Sequence, residues 1–336
     1  MSKIDHNLVL LHSENSRMGL NELSKYLHKS PQRLKYAIAA LIKEGIFKAP
    51  YCVFDHSYFG LLLFRVYFRG AYVNEQEKEK IIIELGKLPS VVAIYELTGE
   101  FDLVVEFASP NPSRFNKELK KLSESISTLN DYKIILNLVT YICPKSYLTK
   151  NKEIRALSRE KIIGGDRERE FFSSNEMKVM KHLIDDPLIR ITQLAKKSKL
   201  NVKTVNSVFK SLIKRNIIRG FGQIIDYNQL GINKSRLFLR LHNISKEREA
   251  QLREYILTVD EVVQFNKTVG DWDVELDIES LERGKIRYFI LQIREQFKDI
   301  VEKFNVIEFY GYHRKSFLPK YLFEETAVQE KRGDRN

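Results

Sequence analysis

The 336 residues hold only two cysteines, Cys52 and Cys143, and seven histidines, none of which falls in an H-x-x-x-H or Cys/His cluster. That scarcity excludes the usual zinc frameworks, and two thiols so far apart in apolar, strand-like surroundings are expected to be buried and free. Neither G-x-S-x-G nor G-x-x-x-x-G-K occurs, so the chain offers no nucleophile elbow and no phosphate loop. No stretch approaches the roughly 18 uninterrupted apolar residues of a membrane helix. The opening MSKIDHNLVLLHSEN has too short an apolar run and too much flanking charge for a secretory signal. The expectation is a cytoplasmic protein without membrane, metal, cofactor or enzymatic activity.

What the chain does contain is a repeat. LTGEFDLVVEF at 97–107 returns as TVGDWDVELDI at 268–278, placing Gly99 and Gly270, and Asp102 and Asp273, 171 positions apart. The same offset joins Leu23 to Leu194, Leu41 to Leu212, Ile46 to Ile217, Asp55 to Asp226 and Gly60 to Gly231 without a gap. KSYL from Lys145 matches KSFL from Lys315 one residue out of that register. A register held over such a span marks a tandem duplication.

The formal net charge is +12, and it is localised. Residues 1–48 carry +4 and residues 173–223 carry +8, while the rest of the chain balances. An excess confined to two matched segments is the electrostatic footprint of nucleic-acid contact. Each segment reads as three helices. Ser173 and Glu176 have capping-box spacing, Leu20, Leu23 and Leu27 keep helical spacing, and Ser30-Pro31 or Asn201 opens a third helix. Leu34, Ile38, Leu41 and Ile42 form its apolar face in the first copy, and Val205, Phe209, Leu212 and Ile213 in the second. The opposite face carries Gln32, Arg33, Lys35, Tyr36 and Lys43, and then Lys203, Thr204, Asn206, Ser207, Lys210 and Lys214. Such groups donate to phosphates and to base edges in a major groove. IFKAPYCVFD and IIRGFGQIID follow as wing strands, making a winged helix twice.

The remainder of each repeat alternates as a strand, a charged helix, two strands around the Gly-acid motif, a helix and a last strand, an order of βαββαβ. Such a module stacks its helices on one sheet face and leaves the other to be covered. The Gly and acids are expected to make the turn between the middle strands.

A winged helix followed by βαββαβ with a Gly-[Asp/Glu]-[Phe/Trp]-Asp turn resembles the Lrp/AsnC (feast/famine) transcriptional regulators, whose second module is the ferredoxin-like RAM or ACT-like domain. The resemblance implies an α+β chain with winged helices at 1–50 and 173–222 and RAM-like domains at 51–148 and 223–322. A charged linker falls at 149–172 and a charged tail at 323–336. It further implies binding of double-stranded DNA, RAM pairing within the chain as a pseudo-dimer or between chains as a homo-oligomer, and an amino-acid effector near the RAM interfaces. Carried over by position, that effector site comprises Gly99, Glu100 and Asp102 with Gly270, Asp271 and Asp273. Siroheme decarboxylases resemble the same architecture and supply the alternative of an enzyme; a protein-contact scaffold without DNA binding is another.

Overall fold

The computed structural model describes residues 4–324, so the charged tail expected at 323–336 lies almost wholly outside the described residues. The first repeat runs α1 (His6–Glu14), α2 (Leu20–Leu27), α3 (Pro31–Lys43), β1 (Phe47–Phe54), β2 (Leu62–Phe68), α4 (Glu75–Lys87), β3 (Val91–Thr98), β4 (Leu103–Ser109), α5 (Pro112–Ser125) and β5 (Tyr132–Ile142). A connector with α6 (Lys152–Arg155) and β6 (Lys161–Gly164) follows. The second repeat then runs α7 (Ser174–Asp185), α8 (Ile191–Ser198), α9 (Val202–Lys214), β7 (Ile218–Ile225), β8 (Asn233–Leu241), α10 (Lys246–Leu257), β9 (Val262–Val269), β10 (Val274–Ser280), α11 (Arg283–Gln296) and β11 (Val301–Lys315).

The caps fall where the sequence placed them. Ser30 accepts from the Arg33 amide at 3.3 Å and Asn201 from the Thr204 amide at 2.7 Å, each satisfying one donor left open at a helix start. Ser173 and Glu176 close a reciprocal capping box at the start of α7. One packing expectation fails: Ile42 and its counterpart Ile213 are 52% and 43% exposed. Each lies eight residues beyond the first inward position, Leu34 or Val205, and so is rotated about 80° from it around the helix.

The wing strands do not fold back within their own repeats. β1 pairs antiparallel with β7, so the two copies share one two-stranded ribbon. Each helical unit finishes its core on the strand of the other copy. Val179, Met180 and Leu212 pack with Cys52 and Phe54, while Leu8, Leu34 and Leu41 pack with Ile225. A lone strand leaves a row of backbone donors and acceptors unpaired, and its duplicate is the nearest strand able to satisfy them. Cys52 is buried in this ribbon; Cys143, just after β5, is only half-buried, against the expectation for both thiols. Both are free, and burial pushes the Cys143 thiol up to about 12.

The two βαββαβ modules pair within the chain. Strand order β5-β2-β4-β3 in one and β11-β8-β10-β9 in the other is joined by β3 to β11 and by β5 to β9, all antiparallel, closing a ring of eight strands. Closure leaves neither sheet an open edge at those junctions. α4 and α5 cover one outer face around Phe64, Val66 and Phe107, and α10 and α11 cover the other around Leu237, Leu239 and Leu276. Between the sheets Tyr67, Phe101, Phe238, Ile307 and Phe309 form an apolar layer.

The connector is more structured than a charged linker suggests, because β6 adds to β5 outside the ring. Gly164 has φ +85°, and a Cβ there would come within 2.6 Å of the Leu138 carbonyl oxygen, so this glycine permits the approach of β6.

His12, in α1, is 6% exposed, lies 4.9 Å from the Phe47 ring, and has no partner for Nδ1. Burial lowers its pKa from 6.5 to about 4. Between those values the unfolded chain binds the proton more tightly than the folded one, so stability present above pH 6.5 is lost as pH falls toward 4. The full loss from this group is about 3 kcal/mol. Urea unfolding at pH 7 and pH 4.5 measures it, and His12→Phe flattens the profile by that share.

Candidate nucleic-acid interface

α3 and α9 present the faces read from the sequence. Gln32, Arg33, Lys35, Tyr36 and Lys43 are all exposed, Tyr36 by 65%. On α9, Lys203, Ser207, Lys210 and Lys214 are exposed, whereas Thr204 and Asn206 are half-buried. Among the described residues no ion pair engages Arg33, Lys35, Lys43, Lys203, Lys210 or Lys214. Off these faces Lys29 pairs with Asp5 and Lys48 with Asp226 at 2.9 Å, while among the described residues Lys25, Lys181, Arg190, Lys196, Lys197 and Lys199 of the same two segments are also without an ion pair. Cations kept unpaired on two helix faces remain available to phosphate.

The two helical units are fastened to each other. The Arg17 guanidinium donates to the carbonyls of Pro187 and Ile189, both at 2.8 Å, and stacks over Phe209 at 5.1 Å and Phe221 at 4.9 Å. Ser16 adds a backbone bond to Phe221 at 3.3 Å. Together with the β1–β7 ribbon these contacts tie the unit carrying α3 to the one carrying α9.

The Gly-acid motifs lie on the β3–β4 and β9–β10 turns, with Gly99 at φ +123° and Gly270 at φ +145°. Asp102 accepts from the Ala71 amide at 3.2 Å and Asp273 from the Leu241 amide at 2.8 Å, so each tethers its turn to the end of the module's first strand. Glu100 pairs with Arg69 and also takes the Asn305 amide from the other module. Lys133 lies between the motifs, 3.5 Å from Glu100 and 3.4 Å from Asp271. A Cβ on Gly270 would meet the Ile134 carbonyl oxygen at 3.1 Å. The structure thus uses these residues to seat each turn against the last strand of the other copy.

Unforeseen in the sequence is a charged layer inside the ring. Arg65 and Arg236, each 1% exposed, sit on equivalent strands. Arg236 chelates Asp277 at 2.6 and 3.1 Å and donates to the Tyr67 hydroxyl at 2.6 Å. Arg65 meets Glu106 at 2.7 Å, Asn266 at 3.1 Å and Glu275. Tyr67 in turn donates to Glu275 at 2.8 Å. Burial by itself would raise the carboxyl of Asp277, but Arg236 and Lys234 hold it below the ordinary range. The signal was present: the 171-residue offset aligns Arg65 with Arg236 and Glu106 with Asp277, charges kept in strands that otherwise read as core.

Residues 172–219 match the winged helix-turn-helix DNA-binding family model. An uncharacterized HTH-type transcriptional regulator of Pyrococcus furiosus is 28% identical over 123 residues, 36% of this chain and 79% of the relative. The HTH-type transcriptional regulator FL11 of Pyrococcus horikoshii is 24% identical over 119 residues, 35% of this chain and 78% of its own. Among solved structures, the siroheme decarboxylase NirDL superposes with a TM-score of 0.57 at 13% identity, covering 98% of this chain and 100% of that one. At that identity the likeness is one of fold. In sequence the chain is similar to HTH-type transcriptional regulators, and its fold carries a three-helix unit with a wing strand and a βαββαβ module twice in one polypeptide.

Proposed function

We propose that the protein is a transcriptional regulator that binds double-stranded DNA through α3 and α9 of a single chain acting as a pseudo-dimer. The observation that carries this reading is the set of six cations on those two faces that have no carboxylate partner among the described residues, on a chain whose charge excess is confined to the same segments. Because the ring closes within the chain, the two recognition faces are unlike each other: Gln32, Lys35 and Tyr36 stand where the second copy has Lys203, Asn206 and Ser207. Different donors and acceptors read different bases. The site is therefore two unequal half-sites, and affinity falls by roughly 0.9 log units per tenfold salt for each phosphate neutralised. Selection from random duplexes followed by footprinting tests this. A perfect palindrome, or an affinity indifferent to salt, would defeat it.

An amino-acid effector at the motif turns fits less readily, since a ligand there must displace Arg69 and Lys133 from Glu100 and Asp271. The rival reading is a siroheme-decarboxylase-like enzyme, favoured by the whole-chain likeness to NirDL. The cavity between ribbon and ring, about 50 Å³, is too small for a macrocycle, whereas the adjoining cleft of about 620 Å³, which shares Glu14, Arg159 and Lys161 with it, is large enough, so size does not separate the two readings. His56, beside the ribbon, is buried and held below its usual pKa by desolvation. Spectral titration with an iron tetrapyrrole separates the classes, a saturable shift in the Soret band supporting the enzyme.

A further inference from the structure

The duplication has left two matched cavities where the ribbon meets the ring, and they have diverged. One, of about 30 Å³, is lined by His56, Leu63 and Phe317. At the counterpart positions the other, of about 50 Å³, has Tyr227 and Lys234, with Tyr147 close by on Glu279. Four lysines converge on this second cavity: Lys145 from the segment after β5, Lys161 from β6, Lys234 from β8 and Lys315 from β11. Against them stand two carboxylates, Glu14 and Glu279.

Glu279 is fully engaged. It takes Lys145, Lys234 at 2.8 Å and the Tyr147 hydroxyl at 2.8 Å. Among the described residues neither Lys161 nor Lys315 has a carboxylate partner within ion-pair distance; Lys315 lies over the Tyr51 ring at 4.7 Å. Desolvation lowers the pKa of Lys161 and Lys145. Leaving aside Arg159, which also lines the cavity but is exposed, the four lysines exceed the two carboxylates by two positive charges, carried by the half-buried Lys161 and Lys315, where an uncompensated charge is costly. Glu14 adds a second unmet demand. Its Oε1 accepts from the Lys145 amide, while Oε2 is buried with no hydrogen-bond partner. An acceptor without a donor, among donors without an acceptor, defines the missing group: a dianion that also carries one proton to donate.

We propose that this cavity is a binding site for hydrogen phosphate, with Lys161 and Lys315 on its anionic oxygens and its hydroxyl donated to Glu14 Oε2. Its four oxygens match room for about four water-sized groups. Sulfate has the same shape and charge but no proton at neutral pH, so it leaves Glu14 facing an oxygen lone pair. The Glu14 carboxylate therefore selects phosphate over sulfate, a discrimination that lysines alone do not make. Because the walls come from α1, the ribbon, β6 and the ring, a bound ion braces the helical units against the ring.

Calorimetry on the full chain in phosphate-free buffer at pH 7.5, with inorganic phosphate, sulfate, malonate and glycine as probes and ionic strength matched with chloride, decides the matter. One phosphate is expected per chain, bound at least tenfold more tightly than sulfate or malonate, with no heat from glycine. Glu14→Gln, whose amide donates instead of accepting, is expected to bring sulfate level with phosphate. Lys161→Met should weaken phosphate at least tenfold and yet raise the melting temperature of the empty protein, since it removes a half-buried charge that has no carboxylate partner among the described residues. That opposite pair of effects separates loss of the site from loss of the fold. Equal affinity for phosphate and sulfate in the unaltered chain, no phosphate heat, or a Lys161→Met protein that binds phosphate as before would each overturn the site. None of these readouts involves DNA, so the site stands or falls separately from the DNA reading.

Discussion

Replacing Lys203 and Lys210 by alanine lowers affinity for the selected duplex roughly 30-fold at 0.15 M salt and reduces the salt slope by about 2, as expected when two phosphate contacts are lost and electrostatic attraction vanishes near 1 M. Both lysines lie on the exposed face of α9 and have no carboxylate partner among the described residues, so removing them strands no buried charge and leaves the helical core of Val205 and Leu212 intact. The matched change at Arg33 and Lys35 is expected to do less. α3 presents Ala39 and Ala40 where α9 has Lys210 and Ser211, and its segment carries +4 rather than +8. Fluorescence anisotropy at several salt concentrations gives both slopes. Equal losses from the two double variants would show that the copies contribute equally and that the asymmetry of charge has no role in binding.

Removing the guanidinium of Arg236 is expected to destabilise the ring by about 3 to 5 kcal/mol, the cost of leaving a buried charge without its partner. Asp277, 1% exposed, would keep only Lys234, 3.6 Å away. Tyr67 would lose the group its hydroxyl accepts from. Arg236→Met combined with Asp277→Leu is expected to recover most of that loss, because two apolar groups of similar volume need no compensation. A double-mutant cycle by urea unfolding measures the coupling. A single Arg236→Met variant within about 1 kcal/mol of the parent, below the range for a broken buried pair, would mean that water reaches the layer between the sheets.

The helices were legible because their signals are local. Ser30-Pro31, Asn201 and the Ser173–Glu176 box are short-range hydrogen-bond patterns that act within one turn of chain, and the structure starts α3, α9 and α7 at them. The Gly-acid turns were legible for the same reason, a positive φ being a property of one residue. The exposure of Ile42 and Ile213 was misread because apolar spacing shows that a face is apolar without showing how much of it the neighbouring helices reach.

The pairing of the strands could not be read in that way. A strand's alternation states which residues share a face and is silent on which strand lies beside it. The same Phe47–Phe54 pattern fits a hairpin wing and the shared ribbon with β7 equally well. Likewise Arg65 in an apolar strand reads as a solvent-facing charge until the second sheet closes over it and brings Glu106, Asn266 and Glu275 within reach. Sequence alone therefore determined the duplication, the starts of α3, α7 and α9, the order βαββαβ and the two basic helix faces, all carried by residues near one another in the chain or by a constant offset. The tertiary structure decided the shared ribbon, the closed ring, the charged interior and the lysine-lined cavity. Each of these joins residues more than a hundred positions apart, and what selects them is the need to satisfy backbone and charge that local structure leaves unpaired.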